Sequence, residues 1–250
     1  MSDQRGRVRV ERGSKRVRAY LAGRIVADTV APLLVWEKPY YPTYYFPEGD
    51  VLAELVDEGA PAAHSPSRGD AHVLSVLVDS GRAEGAALRY ESSPIEELRG
   101  TVRLDWEAME AWFEEDEEVY THPRDPYTRV DILASSRLVR VKVDGMTVAE
   151  STAPRLLFET GLPVRYYLPR THVRMDMLER SETVTHCPYK GRAETWNVRT
   201  PGGVREDLAW SYRAPLPESQ KIAGMFCFYN EKVDIDVDGV PQPRPSTKFS

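Results

Sequence analysis

VRAYLAGRIVADTVAPLLVWE, residues 17–37, and VRVKVDGMTVAESTAPRLLFE, residues 139–159, decide how this 250-residue chain is built. Laid over one another at an offset of 122 positions (139 − 17), the two stretches are identical at nine of 21 places, where composition alone gives about one or two. The identities include Gly23/Gly145, Val26-Ala27/Val148-Ala149, Ala31-Pro32/Ala153-Pro154, Leu34/Leu156 and Glu37/Glu159. The same offset pairs Tyr44-Tyr45 with Tyr166-Tyr167, Pro47 with Pro169, the run from His64 to Gly69 with that from His186 to Gly191, and Tyr90 with Tyr212. After a two-residue slip, Leu98-Arg99-Gly100 meets Ile222-Ala223-Gly224. A repeat this long is a duplicated domain, not a solenoid unit. The expected organisation is a basic arm over 1–15, a first copy over 16–134, a second over 135–239 and a Pro-rich tail over 240–250.

Each copy opens as a hairpin. Arg137 to Val143 alternates polar and apolar residues, Asp144-Gly145 turns the chain, and Met146 to Glu150 runs back. Asp-Gly is a strong hairpin signal because both turn positions require φ > 0; Ala22-Gly23 holds that place in the first copy. Further strands are expected at 33–36, 43–46, 73–78 and 86–90, with counterparts at 156–158, 165–168, 193–198 and 208–212. Two more, at 225–229 and 233–237, close the second copy. The 16 Gly and 19 Pro supply the turns that short antiparallel strands need. The fold class expected is therefore mainly β. One acidic amphipathic helix is expected as an insertion over 105–118, with Asp105 as its cap and Trp106, Met109, Trp112 and Phe113 on one face. It carries eight acidic and no basic residues. A short helical turn is expected near Pro217 to Lys221.

Composition and motifs exclude more than they assign. With 33 Lys+Arg against 39 Asp+Glu, the chain lacks the clustered basic charge that a nucleic-acid partner demands. Thr29 to Trp36, the longest uncharged apolar-rich run, falls far short of the ~18 residues of a membrane span. No apolar segment follows the charged N-terminus, so a cytoplasmic location with Cys187 and Cys227 as reduced thiols is expected. Phosphate-binding loops, G-x-G-x-x-G, H-E-x-x-H, G-x-S-x-G and C-x-x-C are all missing, and no cofactor is expected. His172, His186, Cys187 and Cys227 match no closed zinc spacing, so no metal site is expected either.

Three groups of residues carry candidate chemistry. In His186-Cys187-Pro188-Tyr189-Lys190-Gly191 a thiol lies between two potential cations, which lower a thiol pKa and raise its nucleophilicity. The first copy has Ser65 in place of Cys187 and Ser67 in place of Tyr189, so the turn folds without the thiol. In His122-Pro123-Arg124-Asp125-Pro126-Tyr127 two prolines stiffen a segment read as a linker. The third group is aromatic: Tyr40, Tyr41, Tyr44 and Tyr45, with Tyr166, Tyr167, Trp210 and Tyr212.

Tyr166-Tyr167-Leu168-Pro169, His186-Cys187-Pro188-Tyr189-Lys190-Gly191, Trp210-x-Tyr212-x-x-Pro215 and Ile222-Ala223-Gly224 … Phe228-Tyr229 together resemble the bacterial "domain of unknown function 427" family. With two copies, the chain looks like a tandem member. The resemblance implies a small β fold similar to methionine sulfoxide reductase B and to zinc-binding Rab-exchange-factor domains, without their paired Cys-x-x-Cys ligands. A nucleotidyltransferase label sometimes attached to the family finds no matching residues: no Gly-Ser with paired aspartates is present to hold Mg²⁺ against a triphosphate.

Three functional readings follow, in this order. The first is an enzyme acting on a small molecule in a cleft of the second copy, with Cys187 as nucleophile or acid/base, His186 and Lys190 tuning it, and Tyr167, Tyr189, Trp210 and Tyr212 lining the pocket. The second is a non-catalytic small-ligand-binding or sensor protein using a cleft between the copies, with Arg124, Arg165 and Lys190 as anchors for an anionic ligand and His122, Asp125 and Tyr127 at the linker. The third is an interaction module that presents the acidic helix. Oligomeric state is not legible.

Overall fold

The computed structural model describes residues 8–247 and 249–250. It divides into two units, Met1–Asp125 and Pro126–Ser250, and each is a pair of antiparallel sheets. In the first unit the strands are β1 (Arg9–Arg12), β2 (Val17–Leu21), β3 (Arg24–Thr29), β4 (Leu33–Lys38), β5 (Tyr41–Pro47), β6 (Glu54–Asp57), β7 (Ala63–Ser65), β8 (Gly69–Val78), β9 (Gly81–Tyr90), β10 (Thr101–Leu104), β11 (Ala111–Glu114) and β12 (Glu117–Glu118). The large sheet runs β1-β4-β5-β10-β9-β8-β6, with β7 also on β8, and the small sheet runs β12-β11-β2-β3.

The second unit repeats this plan with β13 (Val130–Ala134), β14 (Val139–Val143), β15 (Met146–Ser151), β16 (Arg155–Glu159), β17 (Arg165–Leu168), β18 (Leu178–Cys187), β19 (Gly191–Thr200), β20 (Gly203–Ser211), β21 (Phe226–Phe228), β22 (Asp234–Val237) and β23 (Val240–Pro241). Its large sheet is β13-β16-β17-β21-β20-β19-β18 and its small sheet β15-β14-β22-β23. The single strand β18 takes the place that β6 and β7 share in the first unit. The duplication is thus one of topology as well as sequence. The copies begin earlier than residue 16 and residue 135, because β1 and β13 occupy the same edge of their sheets. Residues 1–7 of the expected basic arm lie outside the described residues.

The opening hairpins form through the expected mechanism. Ala22 and Gly23 have φ of 47° and 71°, and Asp144 and Gly145 have 50° and 78°. Left-handed values at both central positions give the primed turn that matches strand twist. In each unit the main core lies between the two sheets. Val139, Val141, Val148 and Val237 of the small sheet meet Leu156, Tyr166, Leu168, Val198 and Phe226 of the large one, and Val17, Val26 and Trp112 meet Phe46, Leu74, Val76 and Val102 in the first unit. The opposite, outer face of each large sheet carries a second cluster. It contains Ile132, Leu157, Tyr167, Trp210, Tyr212 and Cys227 in the second unit, and Val35, Tyr45, Tyr90 and Leu98 in the first. The turn expected near Pro217 is a 3-10 helix, Pro217–Ile222, and its Ile222 is buried in that outer cluster.

The inserted acidic helix does not exist. All helical segments among the described residues are short 3-10 turns, and none is long and apolar enough to cross a membrane. Residues 105–118 form turns followed by β11 and β12. Ala111 pairs Tyr20 and Glu114 pairs Val17, just as Asp234 pairs Lys142 and Val237 pairs Val139 in the second unit. The segment is therefore a counterpart of β22–β23 and not an insertion. Helical spacing accounted for Trp106 and Trp112, but these rings stack 4.6 Å apart at 4° across a turn. Within β11 burial alternates with period two, Trp112 and Glu114 in, Ala111 and Phe113 half-exposed. Asp105 caps no helix; its carboxylate accepts from the Glu107 amide at 3.3 Å. Pairing with β2 overrides local helical preference, as tertiary context commonly does. Glu114, at the place of Val237, satisfies its buried carboxylate by accepting from the Tyr44 hydroxyl and from Lys15 Nζ at 2.5 Å.

The turn conformation is testable in isolation from sterics. A Cβ on Gly145 or on Gly49 meets no atom within 4 Å, but only Gly145 has a positive φ. Gly145→Ala is expected to lower unfolding free energy by about 1–2 kcal/mol, read in urea denaturation, while Gly49→Ala leaves it within about 0.5 kcal/mol.

Candidate functional site

The outer face of the second unit's large sheet gathers Arg165, Tyr167, Cys187, Tyr189, Lys190, Trp210 and Tyr212 of the residues singled out in the sequence, while Tyr166 packs in the inner core. One row of cross-strand neighbours runs Arg155–Tyr167–Cys227–Trp210–Thr195 through successive registers. Tyr167 is fully buried, its hydroxyl accepting from Trp210 Nε1 at 3.0 Å. Burial holds the Tyr167 phenol well above its usual pKa. Burial does the same for Tyr212. Cys227 is buried and pushed up to about 12, first by that burial. It is a packing thiol.

Two charge pairs cross this apolar surface. Lys190, at the tip of the β18–β19 hairpin, donates its ammonium to Glu159 on β16, and both side chains are only 9% exposed. Those strands are separated by four interstrand spacings, about 19 Å on a flat sheet. The contact therefore shows that the sheet curls, with its outer face concave and the hairpin tip folded over it. The second pair lies deeper. Arg165 holds Glu231 in a two-pronged hydrogen bond, 2.7 Å on each arm, with the Glu231 side chain fully buried. Burial pushes the Glu231 carboxyl up, but the hydrogen bonds from Arg165 and Thr247 outweigh it and hold the group at about 2. The Arg165 guanidinium also lies 5.6 Å from the Trp210 ring centre.

The hairpin turn places the thiol differently from the cations expected to tune it. Cys187 is half-buried at the end of β18, opposite Gly191, whose φ of 94° closes the turn. His186 precedes it on the same strand and is exposed. Consecutive strand residues project to opposite faces, so the imidazole does not flank the sulfur. Lys190 is committed to Glu159. Tyr189 is half-buried at the turn, and its carbonyl accepts from Ser219 Oγ at 3.2 Å.

The segment read as a linker splits between the units. His122, Arg124 and Asp125 belong to the first and Tyr127 to the second. His122 stacks on Tyr41, rings 3.8 Å apart at 7°, and Asp125 accepts from Trp36 Nε1 at 2.7 Å. Three of its four polar residues are thus part of the first unit. Tyr127 is exposed.

The first unit repeats the crossing pair with changed chemistry. Arg68 stands at the place of Lys190 and meets Glu37 at 2.7 Å, and Arg103, at the place of Cys227, meets the same carboxylate at 3.2 Å. The Tyr45 hydroxyl donates to Glu37 at 2.7 Å. Where Ser67 replaces Tyr189, a surface depression opens between Val8–Val10 and Pro94–Glu97. In the second unit the equivalent edge is bridged by Lys221 Nζ donating to the Ile132 carbonyl at 3.2 Å.

Glu159 and Glu231 were not among the residues expected at the site. Glu37/Glu159 was available as one of the identities in the opening repeat, and nothing local marks Glu231. A family described as a domain of unknown function, DUF427, matches residues 9–115 and again 131–239. No curated protein matches the chain.

Two measurements test the charge pairs. Lys190→Met leaves the Glu159 carboxylate buried without its cation and is expected to cost about 3–5 kcal/mol. The double variant Lys190→Met with Glu159→Leu recovers most of that in urea denaturation. Glu231 titrates in the fold below its ordinary 4.5. Its stabilising contribution is therefore complete above about pH 4.5 and is lost as pH falls toward 2. Glu231→Gln is expected to flatten the fall of unfolding free energy across that window.

Proposed function

The chain belongs to the DUF427 family through both of its copies, and we propose that it binds a small molecule on the outer face of the second copy without covalent chemistry at Cys187. One observation carries this reading: the cations expected to activate the thiol are engaged elsewhere or turned away, Lys190 at Glu159 and His186 on the opposite strand face. A thiol gains nucleophilicity from a nearby unneutralised cation or base, and this arrangement withholds both. The same face has the make-up of a ligand site, with aromatic walls and a few fixed polar groups. Trp210 and Tyr212 supply the walls, with the fully buried Tyr167 behind them, and Tyr189 and Cys187 the rim.

The charge balance narrows the ligand. Arg165 is matched by Glu231 and Lys190 by Glu159, so the two of the three expected anion anchors that stand on this face are already neutralised. An uncharged or zwitterionic molecule with an apolar body fits better than an anion. The interaction-module reading loses its basis, because the acidic residues assigned to a helix are strand and turn residues, with Glu114 buried.

Thermal-shift screening against a broad panel of small metabolites tests the proposal. A compound that raises Tm is expected to do so equally with Cys187→Ser. Alkylation of Cys187 by iodoacetamide is expected to abolish the shift by bulk. A shift that disappears in Cys187→Ser returns the thiol to the centre of the function, and no shift across the panel removes the proposal.

A further inference from the structure

Residues 240–250 were expected to be a loose extended tail, yet their far end lies on the outer face. The ladder of the small sheet ends with β23 at Pro241 and one further backbone bond, Gln242 N–H donating to the Ile235 carbonyl at 2.7 Å; Arg244 then pairs with Asp234 at 2.7 Å, and the contacts that follow are made by side chains. Thr247 Oγ1 donates to Glu231 Oε1 at 2.5 Å. The Phe249 ring stands 6.1 Å from that of Tyr229 at 45°. Tyr229 in turn lies 4.5 Å from Trp210 at 49°. The Arg165 guanidinium sits 5.7 Å from the Phe249 ring centre and 5.6 Å from that of Trp210. Arg165, fixed from behind by Glu231, and the adjoining Trp210 and Tyr229 rings form a cradle whose open side is filled by Phe249. The first copy builds no such cradle: Leu88 stands at the place of Trp210 and Thr43 at that of Arg165.

We infer that Trp210, Tyr229 and Arg165 form a binding site for a planar aromatic ring, that Phe249 is its internal occupant, and that residues 246–250 compete in cis with a small uncharged ligand carrying such a ring. The inference rests on the reading of this face as ligand-binding and adds the class of ligand and the device that gates it. Cation–π and ring–ring contacts reward any flat aromatic face in that position. The neutralisation of Arg165 by Glu231 leaves no net charge for an anion to seek. A tethered segment acts as a competitor at high effective concentration without binding tightly, and Phe249 is only half-buried.

The test uses the chain shortened after Pro245 and the full chain carrying Phe249→Ala, each titrated with a labelled synthetic peptide of residues 243–250 and with N-acetyl-phenylalaninamide. The shortened chain is expected to bind the peptide saturably. The unaltered full chain should bind it about tenfold more weakly, and the peptide with Phe249→Ala should lose about tenfold against the shortened chain. The Phe249→Ala full chain should take up N-acetyl-phenylalaninamide more tightly than the unaltered chain does. Equal uptake by shortened and unaltered chains, or uptake of neither probe by the shortened chain, overturns the inference. Metabolite shifts that truncation leaves unchanged overturn the tail's role and leave small-ligand binding standing. Peptide binding by the shortened chain with a silent panel supports the cradle and removes the wider reading.

Discussion

Lys190 reaching Glu159 across the curled outer face of the second copy, and Arg68 reaching Glu37 at the same place in the first, is the contact on which the rest of each unit's outer surface depends. A hairpin tip at one side of a sheet has no reason of its own to fold over that sheet. Backbone ladders run across strands, and the inner face is already committed to the small sheet. The charge pair supplies a reason, because a buried carboxylate on β16 or β4 must find a cation and the hairpin turn delivers one in both units. Such a pair is weak evidence for stability in itself, since desolvation offsets most of its Coulomb gain. What it provides is direction: it fixes where the turn lies and therefore where Cys187, Tyr189 and Tyr212 stand.

Much of the fold was legible because the duplication let each copy check the other. Asp144-Gly145 identified the hairpin, and the matching Ala22-Gly23 showed that a weaker turn occupied the same place. The strands followed from alternation bounded by Gly and Pro. The same check, applied once more, would have prevented the misreading of residues 105–118. At an offset of 123 that segment faces 228–241, where a strand was already expected. Its aromatic residues satisfy a helical period by coincidence: Trp106 and Trp112 are neighbours because a turn returns the chain, not because a helix stacks them. Glu115 holds φ of 49° where Asp238 holds 53°, a hairpin turn that Asp238-Gly239 announces in the second copy and Glu115-Asp116 does not in the first.

The side chains of the outer face could be picked out in the sequence, but their pairings could not. Adjacency in sequence put His186 beside Cys187, whereas a strand puts them on opposite faces. Proximity in sequence put Lys190 near the thiol, whereas its partner comes from a strand about thirty residues earlier. Glu231 carries no local signal; its role comes from the register that sets Tyr167 beside Cys227 and so brings Arg165 toward the chain that follows β21. Pairings of this kind depend on long-range register, which no local pattern encodes.

The two copies differ most where their outer faces are most polar, and the direction of the difference is informative. In the first copy Arg103 occupies the row position that Cys227 fills in the second, and Leu88 the position of Trp210. Glu37 therefore meets two guanidiniums and a phenol, while in the second copy Lys190 and Arg165 each meet a carboxylate of their own and Trp210 adds an aromatic ring. A duplication kept only for stability would tolerate the same buried chemistry in both halves. Here the sheet, the hairpin and the crossing pair are retained while charge balance and aromatic content diverge around them. That separation places the scaffold's requirements in the crossing pair and leaves the residues beside it free to differ, which is why the ring-rich face of the second copy is the one proposed for a ligand.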